Sequence, residues 1–95
     1  MRIDEAQDLM RRLYGERDRE RGLERTFLWF VEEVGELAEA LRHKPELREE
    51  EFADVQAWLL SLANIAGVDL AAALRRKYDG ICPKCTRTPC SCPSA

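Results

Sequence analysis

The chain has no stretch of about 20 apolar residues, the length needed to cross the hydrocarbon core of a bilayer. Nor does it open on an apolar run of the signal-peptide kind, because Met1-Arg2-Ile3-Asp4 leads straight into an amphipathic pattern. Both absences argue against a membrane partner and predict a cytoplasmic protein. Positive charge is not in excess: 15 Lys and Arg against 18 Asp and Glu leave a net charge of −3. The cations are mostly interleaved with acids, so the field that draws a nucleic-acid backbone is missing and a nucleic-acid partner is not expected. Cysteine is missing from most of the chain, and all four lie within the last fourteen residues. That clustering suits a metal knuckle in a reducing compartment better than a disulfide framework. Strand-like alternation and internal repeats are absent as well. The single histidine, His43, falls in a loop beside Lys44-Pro45 and is read as exposed and without a catalytic role.

What is present is helical. Residues 3 to about 20 carry Ile3, Ala6, Leu9, Met10, Leu13 and Tyr14 as an apolar stripe among charges. A break at Gly22 precedes a second helix from about Glu24 to Arg42. Pro45 suits the first turn of a third helix, which Gly67 ends at about Ala66. Asp69 caps a short fourth helix running to Tyr78. Beyond Asp79-Gly80 the residues are Cys, Pro, Ser and Thr, without periodicity. The expected fold is all-α: a four-helix domain over residues 1–79 and an irregular Cys-rich tail over 80–95. Ninety-five residues supply little core, so pairing into a homodimer or homotetramer is expected to complete it.

The sharpest signal is acidic. Glu32-Glu33-Val34-Gly35-Glu36 and Glu51-Phe52-Ala53-Asp54 lie on consecutive helices, and each holds carboxylates three residues apart on one helix face. On a helical wheel, Phe27, Phe30, Val34, Leu37, Ala38 and Leu41 form the core stripe of the second helix. Glu33 and Glu36 share a flank with Trp29 and Ala40, while Glu32 and Glu39 point away. On the third helix Phe52, Val55, Trp58, Leu59 and Leu62 make an apolar face, with Glu51 inside it and Asp54 at its edge. Unpaired burial of a carboxylate costs several kcal/mol, on the order of the stability of a small domain. Either Glu51 has a partner, a cation or an arginine in the core, or that face is not the core. Acidic pairs at this spacing also occur on solvated helices. A short connection that sets both pairs face to face favours a shared cation, and oxygen-only ligands favour a hard ion such as Mg²⁺.

The segment TFLWFVEEVGELAEAL from Thr26 to Leu41, then Glu51-Phe52-Ala53-Asp54, then Val68-Asp69-Leu70 to Lys77-Tyr78, resembles the MazG-type nucleotide pyrophosphohydrolases. That all-α superfamily carries an EExxE motif followed by ExxD, and the likeness runs from about residue 3 to 78. The resemblance implies hydrolysis of nucleoside triphosphates between the α and β phosphates, giving the monophosphate and pyrophosphate, with Mg²⁺ required and Mn²⁺ as a substitute. It further implies Glu33, Glu36, Glu51 and Asp54 as metal ligands, and Glu32 as a general base or outer-shell acid. By the same resemblance a basic residue near the end of the last helix contacts the phosphates, which points to Lys77 with Tyr78 beside it.

Several other residues carry two readings each. Trp29 and Trp58 are core residues or platforms for a base. Asn64, facing away from the third helix's stripe, is exposed or reads a base across a dimer interface. Arg17, Asp18, Arg21 and Arg25 form a charged segment near the first connection that either closes over a ligand or stays solvated. In the tail, Cys82-Pro83-Lys84-Cys85 and Cys90-Ser91-Cys92 suit a structural Cys₄ Zn²⁺ knuckle, although CxC is tighter than a standard knuckle. Free thiols or disulfides are the alternatives. The competing function is a non-enzymatic helical interaction module that docks a partner through the tail.

Overall fold

The computed structural model describes residues 1–94 and is all-α. Helix α1 spans Ile3–Arg21 and ends at Gly22, whose φ of +86° suits a residue without a Cβ. Gly22 closes one helix and starts the next. Its N–H donates to the Asp18 carbonyl at 2.9 Å, and its carbonyl accepts from the Thr26 N–H at 3.1 Å and from Thr26 Oγ1 at 2.7 Å. Helix α2 follows directly, over Leu23–His43.

The reversal into the next helix uses Lys44 and a 3₁₀ turn at Pro45–Leu47, with proline in the first turn as expected. Helix α3 spans Arg48–Ala66. Its first residue folds back on α2: Arg48 Nη2 donates to the Leu41 carbonyl at 2.7 Å and Nε to the Ala40 carbonyl at 3.2 Å. Arg48 thus caps the Leu41 carbonyl and shares the Ala40 carbonyl with the Lys44 N–H, and its charge complements the negative end of the dipole. Gly67 ends α3 in the left-handed region at φ +71°, and the Val68 N–H reaches the Ala63 carbonyl at 2.9 Å. Helix α4, Leu70–Lys77, is capped by Asp69, whose Oδ1 accepts the Ala72 N–H at 3.1 Å.

The short connection sets α3 antiparallel to α2, and α3 also packs on α1, so it is the central helix; α4 leans chiefly on α1. Buried Gln7 ties α1 to the α3–α4 connection, donating to the Val68 carbonyl at 2.7 Å and accepting the Leu70 N–H at 3.0 Å. Asn64 is not turned to solvent. Its Nδ2 donates to the Gln7 carbonyl at 3.1 Å and its Oδ1 accepts from Arg11 at 2.9 Å, so the amide is engaged in holding α1 to α3.

The hydrophobic core within one chain is small, with Ala40, Leu60 and Ala63 as its buried apolar residues. Here the structure corrects the expected core stripe of α2. Phe27 is 53% exposed, Val34 41% and Leu41 46%, and Ala38 is exposed too. The α2 positions buried within the chain are Thr26 and Ala40, the latter on the flank shared with the acids. Phe52 on α3 is likewise 56% exposed. The physical reason is geometric: a three-helix packing covers one side of α2, and that side is the flank facing α3. Among the described residues no single helix is long and apolar enough to cross a membrane.

Candidate active site

Pairing of α2 with α3 fixes which side chains meet. Trp29 on α2 stacks on Trp58 of α3, ring centroids 6.1 Å apart and planes 15° from parallel. One turn along α2 from Trp29 is Glu33, and one turn back along α3 from Trp58 is Asp54. The register that sets tryptophan on tryptophan therefore sets Glu33 and Glu36 against Asp54 and Glu51. Carboxylate oxygens of Glu33, Glu36 and Glu51 come within 4.8 Å of one another.

That gathering is electrostatically unfavourable. One oxygen of Glu33 and one of Glu51, both Oε2, are buried with no hydrogen-bond partner. Burial first, then the Glu36, Asp54 and Glu51 carboxylates, pushes Glu33 up to about 7. Glu51 is raised too, by burial and then by the charges of Glu36, Asp54 and Glu50. Arginine in the core, one of the partners open to Glu51, is not found beside it: none of the chain's ion pairs among the described residues involves Glu51. Two orphaned carboxylate oxygens with a third acid beside them make a donor set suited to a hard divalent cation.

Asp54 does not join the three-acid cluster but borders it. It lines a cleft of about 280 Å³ between α1 and α3, together with Arg17, Asp18, Arg21 and Trp58. Asp18 is only 2% exposed. Its Oδ1 accepts from Arg21 Nη1 at 2.9 Å, and its Oδ2 is buried without a partner. Arg21 also donates to Thr26 Oγ1 at 3.2 Å and lies 5.0 Å above the Trp58 ring. Of the charged segment expected near the first connection, Arg17, Asp18 and Arg21 belong to the last turns of α1 and line this cleft, with Asp18 buried, whereas Arg25 is exposed in the first turn of α2 and does not line it. Asp18 had a readable signal. The stripe of Met10 and Tyr14 continues at helical spacing through Arg17 and Asp18 to Arg21.

The remaining candidates sit apart. Glu32 is exposed on α2, outside the cluster of three. Lys77 and Tyr78 lie at the end of α4, where Lys77 Nζ sits 5.9 Å from the Tyr78 ring, and neither lines the cleft of Trp58. Tyr78 instead borders the tail, sharing a surface hollow with Cys82 and Cys90. The four tail cysteines do come together: their sulfurs lie within 4.8 Å of one another, so the cluster is compatible with metal binding.

The family model described as the MazG nucleotide pyrophosphohydrolase domain matches residues 21–89, which takes in α2, α3 and α4 with both acidic motifs. A search of curated proteins returns no match.

Proposed function

Since the chain belongs to the MazG nucleotide pyrophosphohydrolase family, we propose that it is a cytoplasmic, Mg²⁺-dependent enzyme of nucleotide-pool housekeeping. Its reaction is hydrolysis of a nucleoside triphosphate, ribo or deoxy, at the α–β phosphoanhydride: one water is consumed, and the monophosphate and pyrophosphate are released. The observation that carries this reading is the pair of orphaned, buried oxygens of Glu33 and Glu51 beside Glu36. Carboxylates raised by burial and mutual repulsion are a poor structural device and a good cation site.

Glu33, Glu36 and Glu51 would hold Mg²⁺, with Asp54 completing the set from the adjoining cleft, and Mn²⁺ would substitute. When bound there, the cation supplies neutralisation of the triphosphate charge and a more acidic water. Glu32, on the turn of α2 that carries the cluster, takes the role of general base or of an outer-shell acid that orients the water. Trp58 offers an aromatic wall one turn from the acids, already stacked on Trp29, so the nucleobase has a platform beside the phosphate chemistry. Arg17 and Arg21 bring positive charge to the same cleft.

Lys77 and Tyr78 lie outside the cleft of Trp58, so the complete site is proposed to be shared in a homodimer or homotetramer, a second chain presenting both. The size of the molecule supports pairing. Its exposed surface is 7423 Å², against about 5,600 Å² for an ordinary folded monomer of this mass. Its radius of gyration is 15.7 Å, against about 12 Å for a compact chain of this length. An excess near 1,800 Å² per chain is on the order of what obligate homodimers bury.

The test is a panel of nucleoside triphosphates with Mg²⁺ or Mn²⁺, scored for pyrophosphate rather than orthophosphate. Glu36→Gln and Asp54→Asn should each lower pyrophosphate release by more than about 100-fold, with helical content by circular dichroism unchanged. No pyrophosphate from any nucleotide, with either metal, would leave the non-enzymatic interaction module as the better reading.

A further inference from the structure

Chemistry in the tail is not used by the acidic site. The described residues after Asp79 contain no helix or strand, and their largest apolar side chain, Ile81, is exposed. A segment this short and polar has no hydrophobic core to hold it folded. Yet it closes on itself. The Thr86 N–H donates to the Cys82 carbonyl at 2.8 Å and the Cys82 N–H to the Arg87 carbonyl at 3.0 Å. These bonds curl Cys82-Pro83-Lys84-Cys85 into a turn, and Cys90-Ser91-Cys92 folds back over it.

The sulfurs then meet in two pairs, Cys82 with Cys92 at 3.8 Å and Cys85 with Cys90 at 3.9 Å. Bridged sulfurs would be about 2.05 Å apart, and all four cysteines are free. A tetrahedron of thiolates around Zn²⁺, with Zn–S bonds of about 2.3 Å, has sulfur–sulfur edges of about 3.8 Å. The tight CxC half, which left single-ion geometry in doubt, contributes one sulfur to each pair. Backbone N–H groups point at the sulfurs as they do at metal thiolates: Ser91 donates to Cys85 Sγ and Cys92 to Cys90 Sγ, both at 3.3 Å. Thr86 sits at φ +61°, a strained conformation for a β-branched residue that persists only where the surrounding turn is held.

We propose that Cys82, Cys85, Cys90 and Cys92 form a structural Zn²⁺ site that folds the tail. As the four Zn–S bonds form, the thiol protons leave to solvent, no electron is transferred, and the site carries a charge of −2. Lys84 and Arg87, interleaved with the cysteines, offset that charge. With four sulfurs the coordination is closed, so the role is structural rather than catalytic. Soft thiolates select zinc while the helical carboxylates select a hard ion, so one chain keeps two metals at separate sites. The knuckle stands independently of the pyrophosphohydrolase reading. Cys90 and Cys92 lie beyond residue 89, where the family match ends.

The test uses the full chain, untagged and purified under reducing conditions. Elemental analysis should find a single zinc ion per chain, and replacement by Co²⁺ should give the visible absorption of a tetrahedral cobalt–thiolate centre. Cys90→Ser and Cys92→Ser, made singly, should each weaken zinc binding by more than about 100-fold in competition with a chelator, leaving helical circular dichroism intact. Glu36→Gln should retain the zinc. Zinc content near zero with four reactive thiols overturns the proposal. So does recovery of the native protein with disulfides, or full zinc retention in both serine variants.

Discussion

Glu33 is the side chain whose surroundings say most about this protein. Its folded-state pKa, pushed to about 7, lies above the usual carboxylate value near 4.5. Between those values the folded chain binds more protons than the unfolded chain, so metal-free stability falls as pH rises from about 4.5 to 7. The stabilising protonated form is fully present below that window and lost above it. Glu33→Gln should therefore stabilise the metal-free protein at pH 8, by on the order of 1–2 kcal/mol once screening is allowed for. Pyrophosphate release should be lost in the same variant. Urea unfolding at pH 4.5 and pH 8, with and without Mg²⁺, checks the pair of effects. A destabilised Glu33→Gln at pH 8 would show that the carboxylate is held by a partner within the chain. Asp18 is the matching case in the cleft: buried, paired on one oxygen with Arg21 and unpaired on the other. Arg21→Ala would leave it buried without a counter-charge, at a loss of about 3–5 kcal/mol, read as a lower thermal midpoint.

Helix ends decide where these side chains are aimed. The register of α2 against α3 depends on the compact turn at Lys44–Leu47 and on Arg48 clasping the Ala40 and Leu41 carbonyls. Arg48→Ala should cost about 1–2 kcal/mol in chemical denaturation, because two charged hydrogen bonds at the end of α2 are lost and the Leu41 carbonyl is left without its partner. At α4, with only eight residues, the Asp69 cap matters more than propensity. Asp69→Ala should cost about 1 kcal/mol, and amide exchange should show the loss concentrated in α4. Both of these helix boundaries were readable in advance, because Pro45, Gly67 and Asp69 act through local backbone geometry. The face that α2 buries was not readable. A wheel ranks faces by hydrophobicity, and the more hydrophobic face of α2 is the one a single chain leaves open.

Exposed apolar area then becomes a property of the whole molecule. Phe27, Phe30, Val31 and Val34 lie along α2, the first two with rings stacked 6.3 Å apart, and Phe27, Val31 and Val34 are substantially exposed. A contiguous patch of this kind on a small chain marks an interface. If the proposed pairing uses this patch, wild-type protein should sediment as an oligomer and Phe27→Asp with Val34→Asp should shift it to a monomer in sedimentation or light scattering. The thermal midpoint and pyrophosphate release should both fall with it. Wild-type protein that sediments as a monomer at micromolar concentration would remove the shared site.

Helix number, helix ends, the two acidic motifs and the cysteine spacing could all be read from residue order, because each depends on neighbours a few positions away. Glu51 already stood out there as an acid on an apolar face. Packing alone decided that Glu33, Glu36 and Glu51 converge while Asp54 turns toward a second cleft, and that Asp18 is buried beside Arg21. It also decided that the strongest apolar stripe of α2 faces outward. Those outcomes rest on contacts between helices far apart in the chain, and the angle and register of such contacts are set by side-chain volumes on both partners at once.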